Sequence, residues 1–263
     1  VMFYRFGMSA LVLGVWLLIR RHDLKVTLRE LGVLAGLGLF YSLTALLLTT
    51  SYLYIPSGIA TTIHFLYPVV VTLVMILFFK DRVSLPLLIA IAMAISGVYL
   101  LSYSGSEGTV SLKGLMLVLT TVITYALYIV GVNKSNVSKM DGLKLTFYVL
   151  FVGAIVFGLN LLIKGQPLEL APDMDTWIHL FLLALIPTLV SDFTLVLAVQ
   201  HVGSTTTAVL GCMEPMTAVA MGVLVFEEQL GFWQFMGMAI ILLAVSVVIL
   251  ANSKERMPVI ENN

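Results

Sequence analysis

The chain has 263 residues, 60% of them hydrophobic and 11% charged, with a net charge of zero and a mean hydropathy of +1.08. A soluble domain carries about 25% charged residues, so a soluble globular protein is excluded, and zero net charge gives no sign of a nucleic-acid partner. An all-α polytopic membrane protein is expected, with the lipid bilayer as its surroundings.

Nine hydrophobic segments are expected, at about 2–19, 32–54, 57–79, 84–103, 113–131, 143–163, 177–200, 204–226 and 231–251. At 1.5 Å per residue, about 20 residues cross a hydrocarbon core of roughly 30 Å. The gaps are short and hold nearly all the charge, which leaves no room for a soluble domain. The chain opens at Val1-Met2 directly in apolar sequence. It lacks the charged head and cleavage site of a signal peptide, as a chain cut at its N-terminus would. Cys212 is the single cysteine; it allows no intrachain disulfide and reads as a small buried hydrophobe.

Basic residues set the orientation, because cytoplasmic loops collect Lys and Arg. Arg20, Arg21, Lys25 and Arg29 follow the first segment, and Lys80 and Arg82 the third. Lys134, Lys139 and Lys144 follow the fifth, and Lys254 and Arg256 the last. If the segments alternate, these eleven share one side, and only Lys113, Lys164 and Arg5 fall on the other. The C-terminus is therefore expected to be cytoplasmic, with the first segment starting outside. Asn136-Val137-Ser138 matches a glycosylation sequon but falls on the inner side, so it is discarded.

A shift of 147 residues lays Ser57 on Ser204, Pro68 on Pro215, Phe79 on Phe226, Ala92 on Ala239 and Val98 on Val245 without a gap. Five crossings separate the copies, so they face opposite ways. Their loops agree: Lys80-Asp81-Arg82 is basic, and its counterpart Glu227-Glu228-Gln229 is acidic. This is the pattern of an inverted-topology repeat, with a site expected near the midplane. The counterpart of Lys113 would fall about 34 residues before Val1, so a tenth helix is expected ahead of this sequence. The fold expected is nine transmembrane helices of ten, in two inverted five-helix repeats.

The stretch Ser204–Phe226 carries Glu214 near its centre, followed by Pro215. A mid-membrane carboxylate costs at least a few kcal/mol and marks a functional site by default. Thr207, Gly211, Glu214, Ala218 and Gly222 share one helix face of mostly small residues, so Glu214 is expected to point into a bundle. A protonated Glu kept for packing is the bland alternative. Pro215 removes a backbone bond and invites a kink.

These residues carry a resemblance. Gly203-Ser204 through Glu214-Pro215 to Phe226-Glu227-Glu228-Gln229, then Gln234-Phe235-Met236-Gly237, is similar to the EamA family of the drug/metabolite transporter superfamily. Pro56-Ser57-Gly58 through Tyr67-Pro68 to Phe79-Lys80-Asp81-Arg82 is the first-half counterpart. That half departs from the pattern, with Tyr67 in place of the Glu before Pro and Lys80-Asp81 in place of the loop Glu. The resemblance covers essentially the whole chain. It implies a truncated first repeat at 1–103, a complete second repeat at 113–251 and a cytoplasmic tail at 252–263. It also implies a carrier in the inner membrane of a bacterium, most often an exporter of amino acids or other small metabolites.

The repeat puts His64 and Tyr67 on the face matching Glu214, with Tyr67 its direct counterpart and Pro68 the matching kink. An imidazole can titrate near neutral pH and a phenol can hydrogen-bond a solute, although packing accounts for either residue. In the seventh segment Asp192 follows Pro187 by five residues. It lies about 5 Å to the inner side of the segment's midpoint. Irregular backbone at that depth usually lines a cavity, so Asp192 is a further site candidate, with a polar plug as its alternative. His179 and His201 sit at segment ends and read as interfacial. Tyr41, Tyr125, Tyr128 and Tyr148 read as packing or interfacial residues, none singled out. Gly32 and Gly36, with Gly38 nearby, read as packing within the bundle.

Glu214, Asp192, His64 and Tyr67 are thus the candidate substrate or proton residues, and Pro215, Pro68 and Pro187 the kinks. The favoured function is a secondary transporter of a small-molecule substrate, driven by proton coupling or by exchange; its two intramembrane carboxylates suit protons or a cationic or amino group equally. No P-loop is present to support direct ATP drive, and no HExxH to support a zinc protease, so no metal or cofactor is expected. An intramembrane enzyme and a non-transporting adaptor are the alternatives. The first lacks a paired catalytic set; the second lacks an appended domain to report through.

Overall fold

The structure, a computed structural model, describes residues 1–79, 85–102, 111–165, 167–211, 221, 225 and 231–256, and all its elements among them are helical. In chain order these are α1 (Met2–Ile19), α2 (Leu28–Ser51), α3 (Ser57–His64), α4 (Tyr67–Phe79) and α5 (Leu85–Ser102). There follow α6 (Leu112–Lys134), α7 (Gly142–Ile163), α8 (Met174–Ala184), a π-helical segment (Leu185–Val190), α9 (Ser191–Gly211) and α10 (Phe232–Arg256). Six stretches among the described residues are helical, long and apolar enough to cross a membrane: Met2–Ile19, Leu28–Ser51, Ile59–Phe79, Leu112–Lys134, Gly142–Ile163 and Met174–His201. Leu88–Gly97 and Phe235–Ala244 are shorter apolar stretches within α5 and α10. Glu214, Pro215 and Cys212 lie outside the described residues.

Polar residues start the helices. Thr27 and Glu30 form a reciprocal cap on α2: Thr27 N donates to Glu30 Oε2 at 2.7 Å, and Glu30 N donates to Thr27 Oγ1 at 3.3 Å. Asp141 accepts from Lys144 N at 3.0 Å to cap α7, and Asp173 from Thr176 N at 2.7 Å to cap α8. The Thr176 amide holds the Asp173 carboxyl below its ordinary value. A lowered value means the cap contributes fully above the ordinary carboxylate range and is lost as pH falls through the depressed one. Amide exchange at Thr176 should therefore stay slow at neutral pH and lose protection on acidification. In Asp173→Ala protection should be absent throughout.

Two segments expected as single helices are interrupted, and each interruption has a proline behind it. The third breaks at Phe65-Leu66, between α3 and α4. Pro68 has no N–H to give the His64 carbonyl, and instead sits in the first turn of α4, where a missing donor costs nothing. In the seventh, Pro187 has no N–H for the Leu183 carbonyl, and the Thr188 hydroxyl donates there at 2.9 Å. The boundary expected between residues 200 and 204 is absent, because α9 runs through it to Gly211. A lone Gly203 costs about 1 kcal/mol in a helix, and no proline stands beside it.

The chain divides into two compact units, Val1–Leu43 with Gly131–His201, and Thr44–Val130 with Val202–Asn263. In the first unit α1 lies against α7 and α8. Phe6, buried on α1, packs its ring 4.8 Å from Phe157 and 5.8 Å from Tyr41. It sits directly over Gly153 of α7, where a side chain would collide with it. In the second unit α5 and α10 run along each other, with Gly97 against the backbone at Gly237 and Ile241. Outward positions are apolar: Leu28, Leu162 and Ile163 are more than three-quarters exposed, as side chains facing lipid would be. Of the glycines expected to pack, Gly38 meets Val152 closely, whereas Gly32 and Gly36 face open space.

Candidate functional site

In the first unit the π-helical segment delivers Asp192 into the interior, where it is 3% exposed. Its Oδ1 accepts a short hydrogen bond from the Tyr41 hydroxyl on α2. Its Oδ2 is buried and has no hydrogen-bond partner among the described residues. Buried polar atoms are almost always paired, so such an oxygen calls for an explanation. Arg5 stands on α1 of the same unit. Arg5 is half-buried; its Nε donates to Thr188 Oγ1 at 3.1 Å, and its Nη1 lies 3.8 Å from Met2 Sδ. One helical turn on, the Ser9 hydroxyl is 2.6 Å from the Arg5 carbonyl and 2.7 Å from the Ala184 carbonyl, just before the π-helical segment. The irregular backbone at Pro187 is thus held by hydroxyls from two helices, with the Arg5 guanidinium on Thr188 and Asp192 four residues further along the chain.

In the second unit the break before Pro68 places His64 and Tyr67 beside each other, ring centroids 5.9 Å apart, and both are buried. Tyr125 of α6 joins them, 5.1 Å from His64 and edge-on to Tyr67 at 4.8 Å. His64 Nδ1 lies 2.8 Å from Thr121 Oγ1, and that hydroxyl donates its single proton to the Val118 carbonyl at 2.7 Å. With that proton on the carbonyl, Thr121 Oγ1 is open to accept from His64 Nδ1. Thr44 and Thr124 hydroxyls meet at 2.6 Å nearby.

Of the candidates from the sequence, His64 and Tyr67 are brought together in one unit. Asp192 belongs to the other unit, and Glu214 lies outside the described residues. His179 and His201 are exposed, each with Nδ1 at a carbonyl one turn back, Asp175 and Leu197. No group of three or more metal-ligating side chains occurs among the described residues. Arg5, Tyr41 and Tyr125 were not legible as partners. Arg5 read as a charge at the outer end of its segment. Its spacing of four from Ser9, both polar in an apolar helix, was the available signal.

The EamA-like transporter family matches residues 1–103 and 112–250. An uncharacterized transporter of Synechocystis sp. is 26% identical over 81% of this chain and 65% of its own length. An uncharacterized transporter of Bacillus subtilis is 26% identical over 60% of this chain and 52% of its own. One from Archaeoglobus fulgidus is 25% identical over 85% of this chain and 80% of its own. The chain thus spans between about half and two thirds of the first two relatives. A crystal structure covers 95% of this chain and 87% of its own with a TM-score of 0.63; at 16% identity that likeness speaks for the fold alone.

Proposed function

The chain belongs to the EamA-like transporter family and is an integral membrane protein, and from that premise we propose that it is a secondary carrier exporting a small metabolite, such as an amino acid, by alternating access. The observation that carries this reading is Asp192 Oδ2, a buried carboxylate oxygen with no hydrogen-bond partner among the described residues, beside a proline-broken helix. An enzyme of this fold would need a reacting pair, and the described residues bring no second carboxylate to Asp192. We further propose nine membrane crossings of ten in two inverted five-helix repeats, 1–103 and 113–251, with the tail 252–263 in the cytoplasm of a bacterium. Glu214 is proposed as the carboxylate of the second repeat, with His64 and Tyr67 as its counterparts in the first. Such a group takes up and releases protons when alternating access wets it from each side in turn.

The test is metabolite export from cells carrying or lacking the full-length protein, repeated with Glu214→Gln. The variant keeps shape and hydrogen bonding but removes titration. It should fold and lose the pH dependence of export. Unchanged export across mildly acidic to mildly alkaline pH would sink the proton role. Orientation is tested separately. A cysteine replacing Gln229 in an otherwise cysteine-free protein should react with an impermeant thiol reagent in intact cells. Labelling only after lysis would reverse the proposed sidedness.

A further inference from the structure

We propose that the connection between α1 and α2 is a binding site for the headgroup of an anionic phospholipid, its phosphate seated among Arg20, Arg21, Lys25 and Arg29. This site is separate from Asp192 and takes a lipid whatever solute the protein carries.

The four basic residues fall within ten positions, where the membrane-length stretch Met2–Ile19 ends and Leu28–Ser51 begins. All four are exposed, and none makes an ion pair or a side-chain hydrogen bond among the described residues. Two acidic residues share the stretch, and both are engaged with backbone amides. Asp23 Oδ1 accepts from Lys25 N at 2.9 Å, and Glu30 Oε2 accepts from Thr27 N at 2.7 Å. The connection is also held in place. The Tyr148 hydroxyl and Lys144 Nζ, one turn apart on α7, donate to the Leu24 and Lys25 carbonyls, each at 2.6 Å. A preformed site has less ordering to undergo when a ligand arrives.

Arg21 has a φ of 53°, in the left-handed region where a side chain is strained and glycine is the usual residue. Its amide donates to the Leu18 carbonyl at 3.0 Å and that of His22 to the Leu17 carbonyl at 2.9 Å, which closes the end of α1. Glycine would make the same turn with less strain; the chain instead keeps a guanidinium there. Beside it, the Arg20 guanidinium lies 5.6 Å from the centre of the Trp16 ring, and Trp belongs at the membrane–water interface. Leu18, Ile19 and Leu28 are 67%, 74% and 86% exposed, an apolar surface for acyl chains next to the cations. A basic residue near an anionic membrane surface is worth about fivefold in binding, and guanidinium groups also pair their N–H bonds with phosphate oxygens. A free phosphate would meet the same cations but gain nothing from the apolar surface, so the occupant is a lipid.

The experiment is thermal melting of the purified full-length protein in detergent, titrated with short-chain phosphatidylglycerol, short-chain phosphatidylcholine or inorganic phosphate. Phosphatidylglycerol should raise the melting temperature in a saturable way, and the other two should not at the same concentrations. Arg21→Gly should raise the melting temperature of the lipid-free protein, because the turn relaxes, and yet weaken the phosphatidylglycerol midpoint about fivefold. A residue kept for the turn alone would leave that midpoint unmoved. Arg21→Lys keeps the charge and should lose less than Arg21→Gly. Lys164→Gln, which removes one charge at the other end of α7, should leave the midpoint unchanged. If Arg21→Gly melts early, Lys25→Gln combined with Arg29→Gln reads the loss of charge on an unaltered turn. The proposal is overturned if phosphatidylglycerol gives no shift, if phosphatidylcholine or inorganic phosphate gives the same shift, or if the charge-removing variants keep the parent midpoint.

Discussion

Asp192→Leu should raise the melting temperature of the purified protein while reducing export at least tenfold. The two effects are expected in opposite directions because of how Asp192 is held. Its Oδ2 is buried without a hydrogen-bond partner among the described residues. An unpartnered buried polar group costs about 1–3 kcal/mol, more when charged, and an apolar side chain of similar volume removes that cost. The Tyr41 hydroxyl loses its acceptor in the same change, which returns part of the gain. A residue kept for packing would behave otherwise: its loss would lower stability and leave flux per folded molecule unchanged. Tyr41→Phe separates the terms. It should leave Oδ1 unpaired too, lower stability by about 1–3 kcal/mol and weaken export less than Asp192→Leu. Melting curves in detergent and flux per folded molecule read both quantities. Loss of stability in Asp192→Leu with normal flux would return Asp192 to a structural role.

Gly97→Ala should destabilise the protein, and Gly36→Ala should not, although both replace a glycine inside an apolar helix. Intrinsic propensity favours alanine at each position by about 1 kcal/mol. At Gly97 the new methyl would stand 2.6 Å from Ile241 Cγ1, 2.9 Å from the Gly237 carbonyl oxygen and 3.2 Å from the Ile241 amide. The Ile241 side chain can turn away; the backbone of α10 cannot without moving the helix. Overpacking of this kind costs typically about 1–3 kcal/mol, enough to outweigh the propensity gain. At Gly36 nothing lies within 4 Å, so only the gain remains. Gly97→Val should be worse again and reduce the yield of folded protein. Equal melting temperatures for the two alanine variants would mean that α5 and α10 do not meet at Gly97.

Hydropathy alone identified a helical membrane protein, because crossing a bilayer needs long apolar runs with internally satisfied backbones, and both leave plain marks in a chain. Asp192 was legible for a related reason: a carboxylate in an apolar segment is conspicuous, and Pro187 five residues earlier announced irregular backbone. Pro68 and Pro187 were legible as interruptions, but not the form each takes. Pro68 ends one helix and starts another, while Pro187 sits in a π-helical turn closed by Thr188. A missing N–H is local, whereas the group that replaces it comes from whatever packs alongside. The partners of Asp192 were decided by tertiary structure for the same reason. Tyr41 lies 151 residues away in sequence, and Arg5 reaches Thr188, one turn before Asp192, through the packing of α1 against α8 and the π-helical segment. Nothing in the sequence around Tyr41 sets it apart from Tyr125, Tyr128 or Tyr148. Periodicity says which face of a helix is apolar. Only packing decides which polar group on another helix stands opposite it.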